Sequence, residues 1–185
     1  QEACGSRLGL RRMKAAVLIP CHSRPDLLSQ ALAALSSQQV LVVDDSVDGL
    51  GDLGVPTIRT RGAQGFSRAI NAGLSQLQAE GVSHVLLLND DAVPEPGCVA
   101  SLLAGWTEAD GAIGPTLVSP QGKTSSGFIV RDWGRVRVRS GRVDAPTQVD
   151  AISGAAMLIR ATERLDEGYR HGFEDLDLCR RLRGR

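Results

Sequence analysis

The chain has 185 residues, 42% of them hydrophobic, with 21 Lys and Arg set against 21 Asp and Glu. That length suffices for one domain with a real core, and a net charge of zero argues against a dedicated nucleic-acid binder, which would carry a broad basic excess. No apolar run approaches a membrane span, and Cys4, Cys21, Cys98 and Cys179 are scattered without a C-x-x-C pair, which fits a reducing compartment and no structural zinc.

Residues 1–12 hold basic residues but no apolar signal core. With Met13 as a natural start, they read as a disordered leader, and 13–185 as a single domain. The apolar run 15–20, closed by Pro20, predicts a buried strand. Leu27, Leu28, Ala31, Leu32 and Leu35 then recur at helical spacing within 24–38, with Pro25 and Asp26 suited to the first turn. "VLVVDD" (40–45) is the second strand and "PTIRT" (56–60) a weaker third. A helix is predicted over 65–81, with Phe66, Ile70, Leu74 and Leu77 on one face and Gly81 as its stop. "HVLLL" (84–88) is a strand, 95–106 a helix, and 111–119 and 127–130 are strand-like. "RVRVR" (135–139) alternates strictly and predicts an exposed strand, 154–160 a buried one, and 173–183 a final helix. Strands alternating with helices imply a mostly parallel, doubly wound α/β sheet with a mixed edge.

Ligands of such sheets bind at the carboxyl ends of the strands. Two acidic pairs fall there, Asp44–Asp45 and Asp90–Asp91. "GLGDLG" (49–54) matches the dinucleotide glycine pattern, but four residues separate it from the preceding strand and Val55–Pro56 leads into another strand, so a loop is expected. Adjacent carboxylates need a cation or a proton to coexist. A hard divalent ion that also bridges phosphates would supply the cation; an N-cap with a solvated neighbour is the plainer alternative. A third acidic cluster, Glu174, Asp175 and Asp177, opens a helix that ends in Arg180, Arg181 and Arg183. Dipole complementarity accounts for that order. Phe173 and Leu176 would flank the acids with apolar bulk, an environment that raises a carboxyl pKa toward that of a general base.

Taken in order, "VLIPCHSRPDLL", "VLVVDDSVDG", "GFSRAINAGL", "LLLNDDAVPEPG" and "DAISGAAMLIRA…FEDLDLCRRLR" resemble family 2 glycosyltransferases, particularly the bacterial rhamnosyltransferase-like type, from about Ala15 to Arg183. The resemblance implies a GT-A fold, an α/β/α sandwich with a mixed, mostly parallel sheet. It also implies an inverting transfer from a UDP- or dTDP-sugar to a carbohydrate or lipid-linked acceptor, at the cytoplasmic face of polysaccharide or cell-wall biosynthesis. In that scheme Asp91 ligates Mg²⁺ or Mn²⁺ and Asp175 is the general base, with Glu174 orienting it or binding acceptor. Pro20, His22, Arg24, Asp44, Asp45, Gly65, Arg68, Asn71, Asn89 and Asp90 face the nucleotide or donor. Ser153, Gly154, Tyr169 and Phe173 lie on the acceptor side, with Trp133 a further stacking candidate.

Two departures from the family pattern stand out. Ala63 occupies the place of a usual Asn, and the chain stops after the acidic helix, where relatives often continue to a histidine metal ligand, so C-terminal truncation is expected. These support a rival reading, a nucleotide-sugar binder without turnover. A nucleotidyltransferase is a weaker rival, because "IPCHSRPD" lacks the glycine-rich phosphate loop. Arg135, Arg137 and Arg139 share one face of their strand, either solvated or turned to an anionic membrane surface.

Overall fold

The computed structural model describes residues 13–131, 134–169 and 172–183. The first half alternates as its hydrophobic periods require: β1 (Ala15–Cys21), α1 (Pro25–Ala34), β2 (Val40–Asp44), β3 (Thr57–Arg59), α2 (Phe66–Ala79) and β4 (His84–Leu88). Next come α3 (Cys98–Gly105), five short strands β5 (Ala112–Ile113), β6 (Leu117–Val118), β7 (Thr124–Ser125), β8 (Phe128–Val130) and β9 (Val136–Val138), then β10 (Ala156–Arg160) and α4 (Glu174–Arg183). The predicted elements are present with adjustments: the 111–119 segment is broken into β5 and β6, which lie in different sheets, and α1 ends at Ala34. Helix α3 starts only at Cys98, because Pro94 and Pro96 supply no N–H and Gly97 turns left-handed. Strand β7 was not foreseen, since two residues carry no readable period.

One six-stranded sheet runs β3-β2-β1-β4-β10-β5. The first four strands are parallel, and β10 runs antiparallel to both β4 and β5. Helices α2 and α4 pack on one face with Leu18, Val43, Leu87 and Met157. Helix α1 and Val99 of α3 pack on the other with Ile19, Val42, Leu86 and Leu158. Each central strand is buried on both faces, which is why it reads as an unbroken apolar run.

Two features open a crevice at one end of the sheet. Successive strands step to one side from β1 and then to the other at β4, the switch point where open α/β sheets bind ligands. The last β1–β4 pair is Leu18–Leu87, so Pro20 lies beyond that ladder and its missing N–H breaks no rung there. Pro20 itself still pairs with Val43 of β2. Because β10 is antiparallel, its first residue, Ala156, stands opposite Leu88, and this brings Ser153–Ala155 beside the acidic end of β4.

Candidate functional site

Three strand ends and one helix end meet at this crevice. After β1 the chain turns through His22 and Ser23 into Arg24, the residue before α1. The Arg24 guanidinium reaches across to the end of β4, 3.0 Å from Asp90 Oδ1 and 3.1 Å from Asp91 Oδ2. The two carboxylates in turn raise the pKa of Arg24. Both acids hold the arginine, Asp90 from a buried position and Asp91 from an exposed one. The cation that adjacent carboxylates demand is thus supplied by the chain itself. Asn89 donates its backbone N–H to the Ala155 carbonyl at 3.0 Å, and its side chain is left without a partner among the described residues.

The acids after β2 are spent internally. Asp44 Oδ1 accepts from the Ser46 N–H at 3.0 Å and the Ser46 hydroxyl at 2.5 Å, and Oδ2 accepts from the Leu50 N–H at 3.0 Å. Burial pushes its carboxyl up most strongly, but the Ser46 and Leu50 bonds with Arg59 outweigh it and hold the group below the ordinary carboxylate range. Those bonds fold the start of the stretch in which Gly49, Gly51 and Gly54 lie, which is a loop as expected. Asp45 accepts from the Thr60 hydroxyl and from the N–H groups of Gln64 and Gly65, the latter two at 2.9 Å, and so ties down the entry to α2. Its backbone oxygen accepts from His22 Nδ1–H at 2.9 Å, which parks the exposed imidazole at the end of β2.

The expected donor face of α2 is engaged elsewhere. Asn71 is clamped to Leu165, Nδ2–H donating to its carbonyl and Oδ1 accepting its N–H, each at 2.9 Å. Arg68 pairs with Glu167 at 3.4 Å. Both side chains therefore hold the segment before α4 against α2. Gly65, with φ +94°, makes the turn into α2. Ala63 adopts φ +49°, a region that Asn accepts more readily than Ala, which explains the physical sense of the usual Asn there.

In the first turn of α4, Asp175 has Oδ2 accepting the Gly154 N–H at 2.9 Å and Oδ1 accepting the Leu176 N–H at 2.8 Å. A β-carbon on Gly154 would meet Asp175 and Phe66 at ordinary contact distances, so this wall is close but not sealed. Glu174 Oε2 is buried and has no hydrogen-bond partner among the described residues, a free acceptor beside the base candidate. The apolar bracket expected around these acids is only half present. Leu176 packs on the core, but Phe173 is 64% exposed, with φ +72°. A ring this exposed does little to desolvate the neighbouring carboxylates. Tyr169 is likewise exposed, and Trp133 lies outside the described residues. A cavity of about 610 Å³ runs along Gly114, Thr116, Ser126 and Ile152 as far as Ser153. Cys21 and Cys179 are buried, and burial pushes the Cys21 thiol up to about 11, so neither is poised as a nucleophile.

Among the described residues no group of three or more His, Cys, Asp or Glu could hold a metal ion. An ion shared with a diphosphate needs less, since one or two protein carboxylates complete its shell together with phosphate oxygens and water. Asp91, exposed at the mouth, fits that requirement, provided Arg24 yields its Oδ2.

Parallel strands in this order, an antiparallel β10 and acids gathered at the switch point define the GT-A class of α/β sandwich. The chain belongs to glycosyl transferase family 2, whose family model matches residues 16–164. Among solved structures it is similar to mannose-1-phosphate geranyltransferase from Thermus thermophilus, 17% identical with a TM-score of 0.50, covering 80% of this chain and 58% of that one. It is also similar to A197 from STIV, 12% identical with a TM-score of 0.50, covering 80% and 65%. Glucosyl-3-phosphoglycerate synthase from Mycobacterium tuberculosis, solved with uridine diphosphate, is 16% identical with a TM-score of 0.44. The alignment with that synthase covers 55% of this chain and 43% of that one. No curated protein matches the chain significantly.

Proposed function

We propose that the chain is the catalytic domain of an inverting glycosyltransferase that moves a sugar from a UDP- or dTDP-sugar to a hydroxyl of a carbohydrate or lipid-linked saccharide. The observation that carries this is the short path from one acidic end to the other. Asn89 bonds to Ala155, and the next residue back, Gly154, bonds to Asp175, so the β4 end and the α4 base candidate flank one opening. His22 and the end of β2 form the nucleotide side. Arg24 and Asp90 stand at the diphosphate, and Ser153, Gly154, Tyr169 and Phe173 lie toward the acceptor. The attacking hydroxyl oxygen bonds to the anomeric carbon as its bond to the diphosphate oxygen breaks, and Asp175 takes the hydroxyl proton. Each of its oxygens already accepts one backbone N–H and retains a lone pair for this. Asp91 would hold Mg²⁺ or Mn²⁺, whose charge neutralises the departing diphosphate when bound. The sugar moved is a hexosyl or deoxyhexosyl group, in keeping with the resemblance to the rhamnosyltransferase-like type.

Two substitutions test the roles against each other. Asp175→Asn keeps the shape and removes the proton acceptor, so donor and Mn²⁺ affinity should persist while transfer falls roughly 10²–10⁴-fold. Asp91→Ala should abolish Mn²⁺-dependent UDP binding in a folded protein. Transfer at the parent rate by Asp175→Asn would move the base to Glu174 or Asp177.

A further inference from the structure

We infer that the β8–β9 hairpin is a seat for an anionic lipid surface. Its register sorts the side chains into two unlike faces. Residues directly opposite in an antiparallel pair share a face, and here Phe128 stands opposite Val138 and Val130 opposite Val136. The other face carries Ile129 opposite Arg137, and by alternation Arg131, Arg135 and Arg139.

Phe128 packs against the core, and the apolar face beyond it is left uncovered among the described residues. Val130, Val136 and Val138 are 45%, 39% and 53% exposed. Strand propensity favours valine at such positions, and three of them on one exposed face also leave an apolar patch in water. Arg135 and Arg137 make no ion pair among the described residues, and with Arg131 and Val136 they line a shallow hollow.

A soluble polyanion would satisfy the arginines and leave the valines in water. A bilayer surface satisfies both: the valines enter the headgroup–acyl boundary while the arginine stems lie along it and their guanidinium groups meet lipid phosphates. The hairpin is also rooted at the site. Phe128 N–H bonds to the Ala151 carbonyl at 2.8 Å, Val130 N–H bonds to Asp150 at 2.7 Å, and Arg183 of α4 pairs with that same aspartate. Ala151 is followed by the Ser153–Gly154 wall, so docking the hairpin would set the acceptor side of the crevice close to the lipid headgroups.

The test reads binding alone and so does not depend on sugar transfer. Vesicles of phosphatidylcholine with phosphatidylglycerol, and of phosphatidylcholine only, are sedimented with the parent, with Arg135→Ser/Arg137→Ser and with Val136→Ser/Val138→Ser. The parent should partition onto the anionic vesicles, less so in high salt. Losing two arginines should weaken partition about thirty-fold, and the valine variant should weaken it about ten-fold or more with its charge intact. Melting temperatures equal to the parent's show that neither variant has unfolded. A parent that ignores anionic vesicles overturns the inference. So does a valine variant that binds as well as the parent, because a contact made by charge alone fits a soluble polyanion.

Discussion

Asp44 shows why a carboxylate at a strand end need not be free to meet a ligand. Its oxygens accept from Ser46 and Leu50, and in this role it organises the loop that follows β2. The consequence is testable through pH. A carboxyl whose folded pKa is lowered contributes stability that is fully present above its unfolded value, about 3.9, and lost as pH falls through the lower folded value. Asp44→Asn cannot carry the charge, and its amide nitrogen would face a donor. At neutral pH it should be less stable than the parent by about 1.5–3 kcal/mol, the worth of hydrogen bonds to a charged group. In urea titrations that gap should close as pH falls through the acid range. A gap of constant size would mean that Asp44 does not act through its charge.

At the scale of elements, α2 is placed by a glycine. A β-carbon at Gly73 would lie 2.3 Å from Leu18 Cδ1 and 2.9 Å from Val43 Cγ2, so the helix sits directly on β1 and β2. Elsewhere in a helix, replacing Gly by Ala gains about 1 kcal/mol. Here overpacking should cost up to about 3 kcal/mol and win. Gly73→Ala should therefore lose about 2 kcal/mol of stability, read from the denaturant midpoint. It should also disturb the loop before α2, which is bonded to Asp45. A more stable variant would show that α2 can move off the sheet without penalty.

Across the whole molecule, Arg24 joins the two halves of the sheet. It leaves β1 and closes on acids carried by β4, the two strands that flank the switch point. Arg24→Gln should cost on the order of 1–3 kcal/mol, because buried Asp90 loses its counter-ion; the half-exposed arginine keeps the figure at the low end. The same change frees Asp91. Mn²⁺ should then raise the melting temperature of the variant more than that of the parent. An equal rise in both would show that Arg24 and the ion do not compete.

Periods and punctuation made the elements legible. Val85–Leu88, a short apolar run with polar flanks, read as a strand buried on both faces, and the 3.6-residue recurrence from Phe66 to Leu77 as a helix on a core. The acids at 44–45, 90–91 and 174–175 were visible for a related reason, since charge at the end of an apolar run is costly without a purpose. What each acid touches was decided by tertiary structure. That Asp44 and Asp45 are consumed by loops, that Asn71 holds Leu165 and that Phe173 turns outward all depend on partners distant in sequence or on one backbone angle. The pairing of Arg24 with Asp90 spans 66 residues. It exists because a parallel sheet lays β1 beside β4 and aligns their ends, and no local period encodes which strands become neighbours.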